Sequence, residues 1–369
     1  MTKTTRKIIG KLHLWLGLIV GLVVFIVCIT AAIWSFSPEI ENATQPYRHV
    51  TPQEQPFLSV ATLSDIARKQ LPVRQLQRFN IRGRNESVKA EFYGEGYYDI
   101  VYLNPYTGAV LKVKDERHSF FGTVIRGHYE LWMGAIGGQI VKWASLIFLV
   151  MMVSGIILWW PRNKAARKQR FSVKYNASPK RMNYDLHNVL GFYASWALLF
   201  AILTALVWTF DSLGKAEFWL GSGGKSMPAY PYPLSAKHNN LQAIPHGIDS
   251  VYQLQLSHYP AGVYQSYIQL PATDSNAYQV AIYPCNDYYH GNFTWYDQYS
   301  LREIPVSFYG QYAQANGGEK LARMNYDIHI GNILGLPGRI AMFFAALIGA
   351  SLPITGFYIW WGRKRKHKQ

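Results

Sequence analysis

Four runs of largely apolar residues, each roughly 22 to 25 residues long, limit what this chain can fold into. They occupy residues 12–36, 139–160, 186–210 and 339–361. At 1.5 Å of rise per residue, each run as a helix crosses a hydrocarbon core about 30 Å thick with some tilt. A backbone in lipid has no water to bond to, so helices that satisfy their own amides are the expected form. The first run exceeds the apolar part of a cleaved signal, about 7 to 15 residues, and no small-x-small cleavage pattern follows Trp34. It is expected to stay as an anchor.

Charge sets the expected orientation. Residues 1–11, 161–185 and 362–369 hold 17 of the 37 Lys and Arg but only one acid, Asp185, of the 21 Asp and Glu. The remainder is balanced, so the formal net charge of +16 falls on one side of the apolar runs. This is the positive-inside pattern, with both termini cytoplasmic. A basic chain also suggests nucleic acid, but charge that stops where the apolar runs begin argues for a lipid bilayer and for no nucleic-acid partner. Trp159, Trp160, Trp360 and Trp361 precede basic segments, and Trp34 and Trp208 stand at the opposite ends, as in an aromatic belt.

The expected organisation is a cytoplasmic N-terminus with a first membrane helix (1–36), an outer lobe (37–138), a second helix (139–160) and a basic cytoplasmic loop (161–185). A third helix (186–210), a Tyr-rich outer lobe (211–338), a fourth helix (339–361) and a basic cytoplasmic tail (362–369) complete it. In the first lobe, residues 58–70 have helical spacing and Pro72 ends it, while 88–92, 100–103 and 109–113 read as strands, the last two joined by a turn at 104–108. The second lobe alternates at 251–256, 264–270 and 277–283 and reads as mostly β. Residues 230–312 hold 14 of the 26 tyrosines. These suit either a stacking surface for an aromatic or metal-chelate ligand or ordinary strand packing. Cys28 lies inside a span and Cys285 in an outer lobe, so a disulfide between them is not expected.

Four histidines stand at matching places along the apolar runs. His13 and His187 open the first and third, and His128 and His329 precede the second and fourth. If the runs span in order, His13 meets His187 at one face and His128 meets His329 at the other. The surroundings repeat too. Lys11-Leu-His-Leu-Trp-Leu-Gly17 parallels Asp185-Leu-His-Asn-Val-Leu-Gly191, and Gly127-His128 with Gly134 parallels Ile328-His329 with Gly335. The halves run in the same sense, as parallel repeats about an axis along the membrane normal, which brings equivalent positions together. Two bis-histidine sites, one per leaflet, are what a two-haem transmembrane electron carrier requires. Without a CxxCH, such haems are the non-covalent b type. Zinc is disfavoured, because Asp185 and Asp327 stand two residues before His187 and His329 and point elsewhere on a helix. Haem propionates need cations, and Arg126 and Arg339 on the outer side, with Lys11 and Arg181 on the inner, are the nearest. Arg339 follows a break at Leu336-Pro-Gly338, and Gly137-Gly138 makes a similar one. His128 and His329 are therefore expected on short outer segments rather than on continuous helices.

The run Arg126-Gly-His-Tyr-Glu-Leu-Trp-Met-Gly134, with Leu158-Trp-Trp-Pro-Arg162, the opening Lys11-Leu-His-Leu-Trp-Leu-Gly-Leu18 and the strand-turn-strand Tyr102-Leu-Asn-Pro-Tyr-Thr-Gly-Ala-Val-Leu111, resembles the PepSY-associated transmembrane family over nearly the whole chain. Residues 58–113 resemble a PepSY domain, and Trp295-Tyr-Asp-Gln-Tyr-Ser300 echoes its turn. The resemblance implies an integral membrane protein of four transmembrane α-helices in two parallel repeats, with two periplasmic α+β or β lobes, the first PepSY-like. Members similar to this chain include bacterial inner-membrane ferrisiderophore reductases with two b haems. The resemblance implies an oxidoreductase that releases Fe(II) from a periplasmic ferric siderophore or other ferric chelate, in which the paired His13, His187, His128 and His329 are expected as haem-iron ligands and the nearby Arg126 and Arg339 as further cofactor contacts. The second lobe departs most from the family pattern. No GxGxxG is present, so electrons come from membrane quinol or a cytoplasmic reductase. The alternative is a non-enzymatic PepSY membrane protein that regulates or senses through a partner. A haem or metal transporter is disfavoured, since no ionisable residue occupies the middle of any span.

Overall fold

The computed structural model describes residues 2–161, 163, 167, 169–236, 244, 246–259 and 263–366. Arg162, the end of one family motif, lies outside the described residues, as do the last three residues of the basic tail. In chain order, α1 (Lys3–Trp34) and α2 (Ser37–Thr44) lead to α3 (Val60–Gln70) and strands β1 (Leu76–Ile81), β2 (Val88–Gly94), β3 (Tyr97–Leu103) and β4 (Val110–Asp115). Helices α4 (Phe120–Glu130), α5 (Gly134–Trp159), α6 (Pro179–Thr209) and α7 (Asp211–Gly221) follow. After α8 (Gly247–Ser257) come β5 (Gln265–Gln269), β6 (Tyr278–Tyr283), β7 (Asn292–Tyr296) and β8 (Glu303–Ile304), then α9 (Gly317–His329) and α10 (Gly335–Lys366).

The chain divides into two compact units, one of Met1–Ser37, Thr123–Gly214 and Asn325–Gln369, the other of Pro38–Gly122 and Lys215–Met324. The first holds four helices long and apolar enough to cross a membrane, Lys3–Trp34, Gly134–Trp159, Pro179–Thr209 and Asn332–Gly362. Their shared core is Val20, Val24 and Cys28 with Phe148, Met152, Leu198, Ile202 and Ala345. Small residues let the helices approach: a Cβ on Gly21 would lie 3.3 Å from Pro353, and one on Gly349 would lie 2.9 Å from Cys28 Sγ. Ile19, Leu22, Phe200 and Phe344 point away from that core and are exposed, a surface that hydrocarbon solvates better than water. Helix α1 starts nine residues before the apolar run, with Thr2 Oγ1 capping Thr5 N, so His13 lies within a continuous helix rather than opening one.

The second unit corrects the expectation of two lobes. Its strands form one antiparallel sheet in the order β4-β3-β2-β1-β5-β6-β7-β8, because β1 of the first loop pairs with β5 of the second. Each loop supplies a helix and then four strands. Helices α3 and α8 cover the same face, burying Val60, Leu63, Ile248 and Val251 against Phe79, Ala90, Val101, Ile268 and Val280. Asp249 Oδ1 accepts from Ala61 N at 3.2 Å, tying the two helices together. Residues 251–256, expected as strand, belong to α8: buried Ile248, Val251, Tyr252 and Gln255 recur at helical spacing, which a six-residue window hides. The expected strands at 88–92, 100–103, 109–113, 264–270 and 277–283 correspond to β2, β3, β4, β5 and β6. The turn echo is structural as well. Asn104 Oδ1 accepts from Tyr106 N at 2.9 Å, and Asp297 Oδ1 accepts from Tyr299 N at 2.9 Å. The two tyrosine hydroxyls then each donate to a loop carbonyl at 2.7 Å, Tyr106 to Arg84 and Tyr299 to Asp274.

Candidate site of two histidine pairs

The four histidines meet in two pairs. The ring centres of His13 and His187 lie 6.4 Å apart with an 85° angle between planes, and those of His128 and His329 lie 6.2 Å apart at 78°. His13 comes from α1, and His187 from a single π turn, Leu186–Leu190, inside α6. Such a turn rotates the following residues and is found most often at functional positions. His128 and His329 sit near the C-terminal ends of α4 and α9, short helices separate from α5 and α10, as the sequence implied.

The breaks fall elsewhere than expected. After α4 the chain reverses through Leu131 and Trp132, at φ 49° and 58°, and Gly134 at φ 60°; after α9 it does so through Gly331 and Gly335, at φ 79° and 63°. Gly137 and Gly338 lie inside α5 and α10, where a Cβ would run into the carbonyls of Glu130 and Gly331. Those glycines let the turn fold back against the next helix rather than interrupting it.

A neighbouring helix holds each imidazole from behind. His13 Nδ1 is 2.9 Å from Ser154 Oγ, and His187 Nδ1 is 2.9 Å from Thr355 Oγ1. His128 Nδ1 is 2.9 Å from the Val27 carbonyl and 3.5 Å from Thr30 Oγ1. His329 Nδ1 is 2.9 Å from both the Ala201 carbonyl and Thr204 Oγ1. Every one of these hydroxyls already donates its own proton to a carbonyl within its helix: Ser154 to Met151, Thr30 to Ile26, Thr204 to Phe200 and Thr355 to Ser351. A hydroxyl so committed can only accept, and a carbonyl always accepts, so all four Nδ1 atoms carry the proton. The unprotonated Nε2, with its lone pair, is what each ring has left to offer. Burial pushes the His128 and His329 imidazoles below their usual range, His329 to about 4 with the neighbouring His128 adding to the effect, which keeps both neutral.

Glycines define the space around the first pair. A Cβ on Gly155 would lie 3.3 Å from His13 Cε1, and one on Gly356 would lie 3.3 Å from His187 Cε1. Ser154 and Thr355 went unread in the sequence, as did Thr30 and Thr204. Their signal is a repeat: Ser154-Gly-x-x-x-Trp-Trp160 matches Thr355-Gly-x-x-x-Trp-Trp361, and Thr30-Ala-x-x-Trp34 matches Thr204-Ala-x-x-Trp208.

The cations near the pairs are engaged. Arg126 Nε donates to Glu130 Oε1 at 2.8 Å, Arg181 is 2.9 Å from Asp185, and Arg339 Nη2 donates to the Ser35 carbonyl at 2.7 Å. Asp327 accepts from Asn332 Nδ2 at 2.7 Å, and Asp185 accepts from Arg181 Nε at 3.0 Å. Cys28 and Cys285 are both free thiols. In the sheet unit, Cys285, Asp287 and His290 gather their ligand atoms within 4.8 Å of one another.

The sequence profile described as the PepSY-associated TM region matches residues 11–363. Among curated proteins none matches the chain.

Proposed function

Because this chain belongs to the PepSY-associated transmembrane family, we propose that it is a di-haem b reductase of the bacterial inner membrane that releases Fe(II) from a periplasmic ferric siderophore or other ferric chelate. The observation that carries this reading is the ring separation within each pair. Metal–imidazole bonds of about 2.0 Å, with each ring centre roughly 1.1 Å behind its nitrogen, would put the centres of two imidazoles sharing one iron about 6.2 Å apart. The separations of 6.4 and 6.2 Å fit that value at both pairs. Haem bound there supplies one-electron chemistry within a membrane.

The residues' part is to present and hold ligands. His13 with His187, and His128 with His329, each leave two Nε2 lone pairs for a metal, and the bonds to Nδ1 fix tautomer and ring plane as partners of metal-bound histidines do. Arg339 and Arg126, together with Lys11 and Arg181, are the cations for propionates, and Arg126 meets one only by sharing with or leaving Glu130. The basic segments support a reading in which both termini are cytoplasmic and the sheet unit periplasmic. The chain is read as two parallel repeats, supported by the paired histidine, hydroxyl and glycine positions and by the helix-plus-four-strand order of each loop. The half from α3 to β4 is the PepSY-like one. Each iron takes one electron, drawn from quinol or a cytoplasmic reductase, and Fe(II), the softer ion, is held less tightly by hard oxygen ligands.

The test begins with pyridine haemochrome on the purified protein, where about two b haems per chain are expected. The protein is then reduced under anaerobic conditions and mixed with a ferric siderophore, with a ferrous chelator present to trap product. Absence of haem would return the chain to the partner-regulating reading, and haem that no ferric chelate reoxidises would remove the reductase activity.

A further inference from the structure

The sheet face turned away from α3 and α8 carries a polar seam where β1 meets β2 and β5. Strand alternation puts Arg78, Asn80 and Arg82, with Ser87 and Lys89, and with Gln265 and Tyr267, on this face. Asn80 stands opposite Lys89 on one side and Tyr267 on the other, and Lys89 stands opposite Tyr102. One step along, Arg82 Nε donates to Gln265 Oε1 at 3.1 Å.

Two features of the seam point to a ligand. Asn80, Ser87 and Gln265 are 6 %, 5 % and 4 % exposed, yet Asn80 Oδ1, Ser87 Oγ and Gln265 Nε2 have no hydrogen-bond partner among the described residues. A buried polar group left so is destabilising by about 1–3 kcal/mol each. Three on one patch is a concentration that a folded chain normally avoids. Charge is uneven as well. Glu91 is taken by Arg78 at 2.6 Å and Glu41 by Arg48 and Lys114 at 2.8 and 3.0 Å, while Arg82 and Lys89 have no ion pair among the described residues. Each lies against a tyrosine, with Lys89 Nζ 5.8 Å from the Tyr102 ring centre and the Arg82 guanidinium 5.8 Å from that of Tyr264. Burial, with Arg48 and Arg82 nearby, pushes the Lys89 ammonium down to about 8, against the opposing pull of Glu91 and Glu41.

We propose that this seam binds the carboxylates of an anionic metal chelate, with Arg82, Lys89, Ser87 and Gln265 as donors. The metal it carries, iron, rests on the reductase reading, whereas the anion site does not. Asn80 completes the set by accepting from a ligand hydroxyl or, with its amide turned over, by donating. The tyrosines at the margin, Tyr264 and Tyr267, supply flat apolar walls. A carboxylate-rich chelate is thereby favoured over a neutral trihydroxamate of the same size.

Calorimetry on the full chain in detergent tests this with gallium(III) citrate, whose metal stands in for Fe(III) but accepts no electron. The gallium complex is expected to bind, and Arg82→Gln and Lys89→Gln are each expected to weaken it at least about tenfold, with haem content unchanged. Arg82→Lys and Lys89→Arg retain most of the affinity, which separates lost charge from lost fold. Affinity falls as pH rises through about 8, where Lys89 loses its proton. Three results overturn the proposal: a neutral gallium trihydroxamate binding as tightly, citrate alone binding as tightly as its gallium complex, or Gln variants that match the parent. Ferric-chelate reduction without gallium citrate binding sinks the seam alone. Gallium citrate binding without any reduction sinks the reductase reading and leaves the seam standing.

Discussion

Each unit has a seam where the first half of the chain meets the second, and the two seams present opposite chemistry. Among the helices, α1 and α4 meet α6 and α9 through imidazoles whose Nδ1 protons are all committed to neighbouring helices, which leaves each ring a lone pair on Nε2. In the sheet, β1 and β2 meet β5 through side chains that keep donors to spare, a guanidinium, an ammonium, an amide and a hydroxyl. The first arrangement suits a cation and the second an anion. The protein thus separates, within one chain, the two properties that a metal chelate combines.

The contrast breaks most visibly at the histidines. His13→Ala or His187→Ala is expected to lower haem from about two to about one per chain by pyridine haemochrome, with the other haem retained. His128→Ala or His329→Ala does the same and also abolishes Fe(II) trapping. Two haems surviving any of the four changes would show that the lone pairs do not serve the purpose assigned to them.

A smaller change sharpens the comparison between the two pairs themselves. Ser154→Ala with Thr355→Val removes the side-chain acceptors behind His13 and His187 and should weaken haem retention roughly 10- to 100-fold. Thr30→Val with Thr204→Val should do less, under about tenfold, since the Val27 and Ala201 carbonyls remain. Haem-transfer rates to a competing apoprotein read both, and the reverse order would show that the carbonyls are not the principal acceptors at the second pair. Gly137→Ala drives a Cβ into the Glu130 carbonyl and is expected to destabilise the turn behind His128 by about 1–3 kcal/mol, read as a lower melting temperature.

The least effect is expected in the sheet. Lys89 holds its proton less tightly folded, at about 8, than at its ordinary value of 10.5. Between those values the unfolded chain binds more protons, so stability rises with pH across that window and the penalty is fully present below it. Thermal melts at pH 7.5 and 10 should show the rise, and Lys89→Met should flatten it. An unchanged slope would mean that Lys89 is not the group responsible.

Length and apolarity made the four helices legible, and repetition made the histidines so, because one ligand type recurring at matched positions outweighs the ambiguity of any single residue. The hydroxyls were hidden for a physical reason. A Ser or Thr in an apolar helix satisfies itself on its own backbone, as Thr204 does on Phe200 and Ala201, so nothing local marks it as a second partner to a ring. Strand β1 was missed because the irregularity between Leu76 and Arg78 breaks its alternation, which leaves only Arg78 to Ile81 in period. The joining of two loops into one sheet had no local signal, since pairing of β1 with β5 depends on where the intervening helices return the chain.

That pairing also has a consequence for synthesis. Ile81 and Ser266, partners across the β1–β5 junction, stand 185 positions apart. When the first four strands emerge, β1 is an outer strand with a row of unmatched amides, the condition under which half-made sheets join the wrong neighbour. It stays so while α5 and α6 are made, until the ribosome has delivered the fifth strand. During that interval Arg82, which has no ion pair among the described residues, is the gatekeeper, since its repulsion for a second copy of this strand discourages the two from zipping together.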